Sequence, residues 1–260
     1  MHFTDLLALE PHGPDTWVGT GPSYPWGGLY GGQIVAQGLM AASHSVPREF
    51  AVHSLHAYFI RRGDADAPVR YEVDRIRDGR SYYTRRVVAR QSTGAILNMS
   101  ASFQAPEAGP ETQTQHKRDV PLPDALAPDS WSELLDRRQV PSAVDPGRGS
   151  AWFRVMHDPG PEPVHHACAL AFASDDMPMD AVLAVHPERP ITMKELWATS
   201  LDHAIWFHRP LRAQAFHLYD FAVHSLGGGR SLTLGHVFTS DGAHIATVAQ
   251  ELLVRRRRKG

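Results

Sequence analysis

Three polar side chains in this chain have the types and settings that chemistry needs: Asp175, Ser200 and Gln250. Asp175 stands directly behind Ala167 to Ala173, a run of small and apolar residues without a clear polar face. Such a run suggests a helix buried on all sides. A carboxylate where that helix ends is held firmly and can still reach a cleft. Ser200 stands just before Leu201 to Phe207, a segment that reads as a strand. Gln250 interrupts the apolar run ATVAQELLV, where an inward-pointing amide needs a partner. As a set, the carboxylate can take a proton from water while the hydroxyl and the amide orient that water. An N–H at a helix start could stabilise the oxyanion. That chemistry suits hydrolysis of an activated acyl group. Taken singly, each residue also has a plainer structural reading. Asp175 could be a helix-end cap or a surface charge, with Asp176 either a surface residue or its substitute in the role. Ser200 could be a turn residue, and Gln250 could sit on a solvated strand face.

Other groups fit chemistry less well. Asp202 and His203 are rivals as a base and its orienting partner, but neighbours on a regular strand point to opposite faces. Structural roles are expected for both, with His203 near the substrate. His165 and His166 are adjacent rather than three or four apart, and no HExxH motif exists, so no metal site is expected. There is no GxSxG elbow, no GxGxxG spacing and no phosphate loop. The single cysteine, Cys168, reads as a buried structural thiol and excludes a disulfide framework. A formal net charge of -2, with no basic-aromatic interleaving, argues against nucleic acid as a partner. No apolar stretch is long enough to span a membrane, and residues 1–10 do not resemble a signal peptide. A cytoplasmic, reducing setting is expected. The basic tail Arg255 to Lys259 reads as a solvated charge run after the last strand. Trp206, Phe207 and Phe59 read as core or pocket walls.

The elements that must position these groups form a repeat. A short helical pattern, Phe3-Leu6-Leu7-Leu9, precedes a glycine- and aromatic-rich stretch from Pro22 to Gly32 and a helix over Gln33 to Ala42. Strands are expected over Val52–Ile60, Val69–Arg77, Ser81–Arg90 and Ala95–Phe103, with Asp78-Gly79 as a hairpin signal. Proline then recurs at 106, 110, 121, 123, 128, 141 and 146, marking a connector with a helical turn or two near Trp131 to Leu135. A second unit follows: a strand over Ala151–His157, a helix over Val164–Ala173, and strands over 201–207, 216–223, 231–239 and 243–254. His56-Ala57-Tyr58-Phe59 aligns over His203-Ala204-Ile205-Trp206, Gly79-Arg80-Ser81 over Gly229-Arg230-Ser231, and Thr93-Gly94-Ala95 over Asp241-Gly242-Ala243. Two similar halves are expected.

The motifs, taken in order, resemble the bacterial acyl-CoA thioesterase II (TesB-like) family. The likeness lies in Tyr30-Gly31-Gly32-Gln33, in His53 to Phe59 with Gly63-Asp64, in Asp78 to Ser81 and in Ala101 to Glu107. The second half adds Ala173-Ser174-Asp175, Leu201-Asp202-His203 through Pro210, and Val248 to Glu251. The resemblance implies an α+β double hotdog, two fused units in which an antiparallel sheet wraps a helix. Residues 1–108 would form the first unit, 109–148 the connector, and 149–260 the unit carrying catalysis. It implies hydrolysis of acyl-CoA to free fatty acid and CoA, without an acyl-enzyme and without a cofactor. Asp175, Ser200 (threonine in many members) and Gln250 match the family's catalytic set, and the first half would add only packing and one wall. CoA phosphates would meet Arg61, Arg62 or the basic tail, and a homodimer or homotetramer is expected. A related enoyl-thioester hydratase and a non-catalytic acyl-CoA-binding protein are the competing readings.

Overall fold

The structure is a computed structural model describing residues 1–141 and 147–257. The N-terminal half contains α1 (Phe3–Leu7), β1 (Glu10–Pro11), β2 (Thr16–Gly19), α2 (Gly31–Ser43) and the strands β3 (Ala51–Phe59), β4 (Val69–Asp78), β5 (Tyr82–Gln91) and β6 (Gly94–Gln104). The C-terminal half contains β7 (Leu135–Gln139), β8 (Arg148–Val155), α3 (Pro163–Ser174), α4 (Met177–Val185), β9 (Leu196–Ser200), β10 (Asp202–Phe207), β11 (His217–Gly227), β12 (Arg230–Thr239) and β13 (His244–Arg256). The strands form one antiparallel sheet in the order β1-β2-β4-β5-β6-β3-β10-β13-β12-β11-β8-β7, with β9 alongside β13. The order is nearly palindromic about the β3–β10 pair, as two fused copies of one unit require. The α+β double hotdog is thus the observed architecture.

Both central helices are small-residue helices because they are enclosed. Every residue of α2 from Gly32 to Ala42 is buried, as is α3 from Ala167 to Ser174. The two helices pack closely against each other at Gly32. A Cβ there would lie 2.3 Å from the carbonyl oxygen of Phe172 and 2.5 Å from the Tyr30 ring, so no larger residue fits without moving backbone. The Tyr30 hydroxyl donates to that same Phe172 carbonyl at 2.8 Å.

Several expectations are corrected. The alignment of His56 over His203 is one residue out of register: His203 is fully buried, whereas His56 is exposed and pairs with Ala204. A one-residue slip exchanges the faces of a strand. The alignment of Gly94 over Gly242 holds, both at positive φ in their turns, but Gly79 and Gly229 are not equivalent. Gly229 is at positive φ in the tight turn closed by Gly227 and Arg230, whereas Gly79 is not at positive φ and lies in the longer turn closed by Asp78 and Tyr83. No helix forms at Trp131 to Leu135. Leu135 instead opens β7, which pairs with β8. The connector also packs Val120 and Val140 with Trp152, Leu218 and Phe238, and the Trp152 indole donates to Pro121. Helix α4 and strand β9 were not anticipated; Pro178 in the first turn of α4 is a start signal that sequence reading passed over. The basic run is not free of the sheet. Arg255 and Arg256 belong to β13, and Arg256 pairs with Glu188 and Glu195. Pro146, Arg258 and Lys259 lie outside the described residues. Trp206 is not a core residue, since it is 38 % exposed and packs edge-on against His56. Cys168 is buried, as expected. No helix among the described residues is long and apolar enough to cross a membrane.

The tight contact at Gly32 gives a direct test. Gly32→Ala should destabilise the protein by about 1–3 kcal/mol through overpacking. Thermal unfolding beside the wild type measures this, and an unchanged Tm would show that the helices separate freely.

Candidate active site

Asp175 is the C-cap of α3, the position where the chain leaves the enclosed helix. Its carboxylate is fixed from both halves of the molecule. Oδ1 accepts from the Ser200 hydroxyl at 3.0 Å and from the Gln250 amide at 2.9 Å. Oδ2 accepts the backbone N–H of Gly32 at 2.9 Å, in the first turn of α2. The Gln250 amide also donates to Ser200 Oγ at 2.6 Å, which closes a triangle of three side chains. The first half therefore supplies more than packing and a wall: a helix N-terminus, with its partial positive charge, faces the carboxylate. Gly31 makes the approach possible, because a Cβ there would stand 2.6 Å from Asp175 Oδ2 and 3.0 Å from the Phe59 ring.

Ser200 and Gln250 are brought together by an irregularity in the sheet. Ser200 pairs with Leu252, and Ala204 pairs with Ala249, so the strand pair carries one extra residue near Leu201. Ser200 and His203 are three apart, an interval that a regular strand places on opposite faces. The bulge lets both point inward. Asp202 faces away and accepts the backbone N–H of Glu251 at 2.6 Å, a structural role as expected. Gln250 is 1 % exposed, so its amide requires the partners it has.

His203, for which the sequence suggests a structural role near the substrate, joins this group. Its Nδ1 meets Gln250 Oε1 in a short hydrogen bond, and its Nε2 meets Ser174 Oγ at 2.8 Å. Gln250 directs its amide nitrogen at Asp175 and Ser200, so its oxygen must accept. The proton on His203 is accordingly assigned to Nδ1, leaving Nε2 to accept from Ser174. Burial lowers the His203 pKa to about 4, keeping the ring neutral. The only signal for this role in the sequence is a polar residue within the strand DHAIWF.

Electrostatics favour a reactive carboxyl. Burial raises the Asp175 pKa to about 6, opposed by hydrogen bonds from Gln250, Ser200 and Gly32. Asp176 is not a surface residue and does not share the site. It bonds the Trp131 indole at 2.7 Å and Arg137 at 2.8 Å. Arg137 also pairs with Asp180 and Asp129. Burial raises the pKa of Asp176, and Arg137 opposes the shift. Tyr24, Trp26, Tyr30, Trp131 and Phe172 form a continuous aromatic cluster beside this ion group. Among the described residues no group of His, Cys, Asp or Glu is arranged to hold a metal.

Comparison with known proteins gives a consistent result. Residues 20–104 match the model of the acyl-CoA thioesterase N-terminal domain, and residues 106–254 match that of the acyl-CoA thioesterase C-terminal domain. The chain is 36 % identical to acyl-CoA thioesterase II TesB2 from Mycobacterium marinum, covering 99 % of this chain and 98 % of that one, with a TM-score of 0.87. It is 30 % identical to acyl-CoA thioesterase 2 of Haemophilus influenzae over 96 % of each chain. It is 32 % identical to human acyl-coenzyme A thioesterase 8 over 97 % of this chain and 88 % of that protein.

The raised pKa of Asp175 has a measurable sign. Between about pH 4 and pH 6 the folded protein keeps a proton that the unfolded chain has released, so this group's contribution to stability is lost as pH rises through about 6. Asp175→Asn removes that loss. The stability of the variant relative to the wild type should therefore improve from pH 4 to pH 7, by up to about 3 kcal/mol. Calorimetric Tm values across the range check this, and a difference that stays flat contradicts a buried, proton-holding Asp175.

Proposed function

The chain belongs to the acyl-CoA thioesterase II (TesB-like) family of double-hotdog hydrolases, and on that footing we propose that it cleaves acyl-CoA to free fatty acid and CoA with a water activated by Asp175, Ser200 and Gln250. The observation that carries the reading is the convergence of the Ser200 hydroxyl and the Gln250 amide on one oxygen of a carboxylate whose pKa lies near 6. Above that pH the carboxylate is a base whose strength is matched to its task.

In the proposed reaction, Asp175 takes a proton from water as the oxygen attacks the thioester carbonyl. Ser200 and Gln250 hold the water, and neither becomes acylated. The N-terminal end of α2 lies toward the developing oxyanion, where its N–H groups and partial positive charge favour negative charge. When the tetrahedral intermediate collapses, the C–S bond breaks and the proton on Asp175 passes to the CoA thiolate. The products are carboxylic acid and thiol, and the base is regenerated. Serine retains the hydroxyl that threonine would supply. Exposed Arg61 and Arg62, which follow Phe59, are assigned to the CoA phosphates; Arg62 also bonds the Trp26 and Gly27 carbonyls that lead into the site. We divide the chain into a first unit over residues 1–108, a connector over 109–148 and a second unit over 149–260 that supplies the three side chains.

Free-thiol release from acyl-CoAs of short, medium and long chain tests the reading. Asp175→Asn should lower kcat by about 10²–10⁴-fold. In the wild type kcat should rise as pH increases through about 6, and that limb should vanish with Asp175. Undiminished hydrolysis in Asp175→Asn would overturn the assignment. Crotonyl-CoA hydration without thiol release would favour the hydratase reading, and tight acyl-CoA binding without turnover would favour a binding protein. His203 gives a second test. His203→Asn keeps a donor for Gln250 and should retain most of kcat. His203→Phe frees the amide and should lower kcat by about 10²-fold at similar KM. Equal loss in both variants would mean that His203 acts only through packing.

A further inference from the structure

The fold repeats the catalytic location at the opposite end of its helix pair, and there the structure is hollow. Strand β3 carries a register break between Val52 and Ser54 against β6, as the second half carries one near Leu201 against β13. Superposing the two breaks places Val52 at the position of Ser200 and Leu55 at that of His203. It also places Ala101, the partner of Leu55, at that of Gln250. His44, the C-cap of α2, takes the place of Asp175, the C-cap of α3. Phe59, which stands against Gly31 beside Asp175, has Phe207 as its counterpart. The carboxylate, the hydroxyl and the amide are all missing from this second location, where His44 puts an imidazole in place of the Asp175 carboxylate. Helix α3 begins on Pro163, which has no N–H to offer.

A cavity of about 1080 Å³ occupies that place. Its walls include His44, Val52, Phe103, Val164, Phe207 and Leu211, so the counterparts of Asp175 and Ser200 face it. The volume reaches the upper end of the usual range for small-molecule sites, and the walls are largely apolar. At the rim, Arg48, Arg209, Glu49, Glu107 and Glu162 set the charge. Arg48 is held by Glu162, at 3.4 Å. Arg209 is one-quarter exposed, and the carboxylate it pairs with, Glu111, is itself 76 % exposed and 3.4 Å away. The rim carboxylates disfavour a multiply charged CoA. A ligand with one carboxylate can exchange with Glu111 on Arg209.

We propose that this cavity is a second, non-hydrolytic ligand site that takes the alkyl chain of a free fatty acid and sets its carboxylate against Arg209. The inference rests on the thioesterase reading only for the source of the acid, which is then the enzyme's own product. Because the second site lacks the Asp175, Ser200 and Gln250 set and a free acid has no thioester to cleave, the acid stays bound without further reaction, and its occupancy reports product concentration.

Equilibrium dialysis with radiolabelled palmitate tests the site on the full chain. Val52→Trp and Val164→Trp each fill the cavity from a different element, and Arg209→Gln leaves it open. Circular dichroism identifies which variants fold. The wild type should bind one more palmitate per chain than either filled variant, and Arg209→Gln should weaken that molecule about tenfold. Initial rates of palmitoyl-CoA hydrolysis should stay at the wild-type level in the filled variants. An unhydrolysable palmityl-CoA thioether should not displace the extra palmitate. Equal stoichiometry in the wild type and the folded variants, with no effect of Arg209→Gln, overturns the proposal. Displacement by the thioether overturns the free acid as occupant. A dimer in sedimentation that the filled variants abolish would mean that a second copy covers the cavity, which also overturns it. Failure of the thioesterase reading would appear separately, as hydrolysis surviving Asp175→Asn.

Discussion

The hydrogen bond from Gly32 N–H to Asp175 Oδ2 joins the two halves of the molecule at the point where charge is hardest to bury. A carboxylate withdrawn from water costs free energy unless donors compensate it. Here the donors come from three separate elements, α2, β9 and β13, and none is a cation. The group is thus compensated enough to persist and too little to keep its ordinary acidity, which is why burial dominates its pKa. The close helix contact at Gly32 follows from this need. Only a residue without a Cβ lets the α2 backbone come near the end of α3.

The neighbouring ion cluster protects that balance. Asp176 follows Asp175 directly, and an uncompensated second charge would raise the Asp175 pKa further. Arg137, supplied by β7, binds Asp176, Asp180 and Asp129 and keeps this negative charge occupied. The connector thereby shapes the surroundings of Asp175. It brings the cation that isolates Asp175 from its acidic neighbours, and it brings Trp131, whose indole fixes Asp176.

Much of this was legible in the sequence, for identifiable reasons. The helices over 31–43 and 163–174 are visible because enclosed helices are written in small apolar residues. The main strands are visible through alternation and Gly-containing turns. Asp175, Ser200 and Gln250 stand out in the sequence as a set of candidates, and the geometry brings all three within hydrogen-bond reach. What the sequence hid depends on non-local geometry. The role of Gly32 lies in a backbone N–H, which every residue except proline possesses. The bulge at Leu201 has no residue signature, and without it the spacing of Ser200 and His203 argues against a shared face. The same blindness to bulges put the repeat alignment one residue out. Strand β7 was missed because its pairing partner, β8, rather than its own pattern, makes it a strand.

The placement of β13 bears on how the enzyme comes into being. This strand lies between β10 and β12 near the middle of the sheet, yet it follows both of them in sequence. Domains form largely from the N-terminal end during synthesis. On the ribosome, α2 and Asp175 therefore emerge long before Gln250, and the carboxylate has no amide partner until β13 inserts between β10 and β12. A chain still lacking this strand holds Asp175 without the amide of Gln250, and the three-sided hydrogen-bond set closes only once β13 is in the sheet.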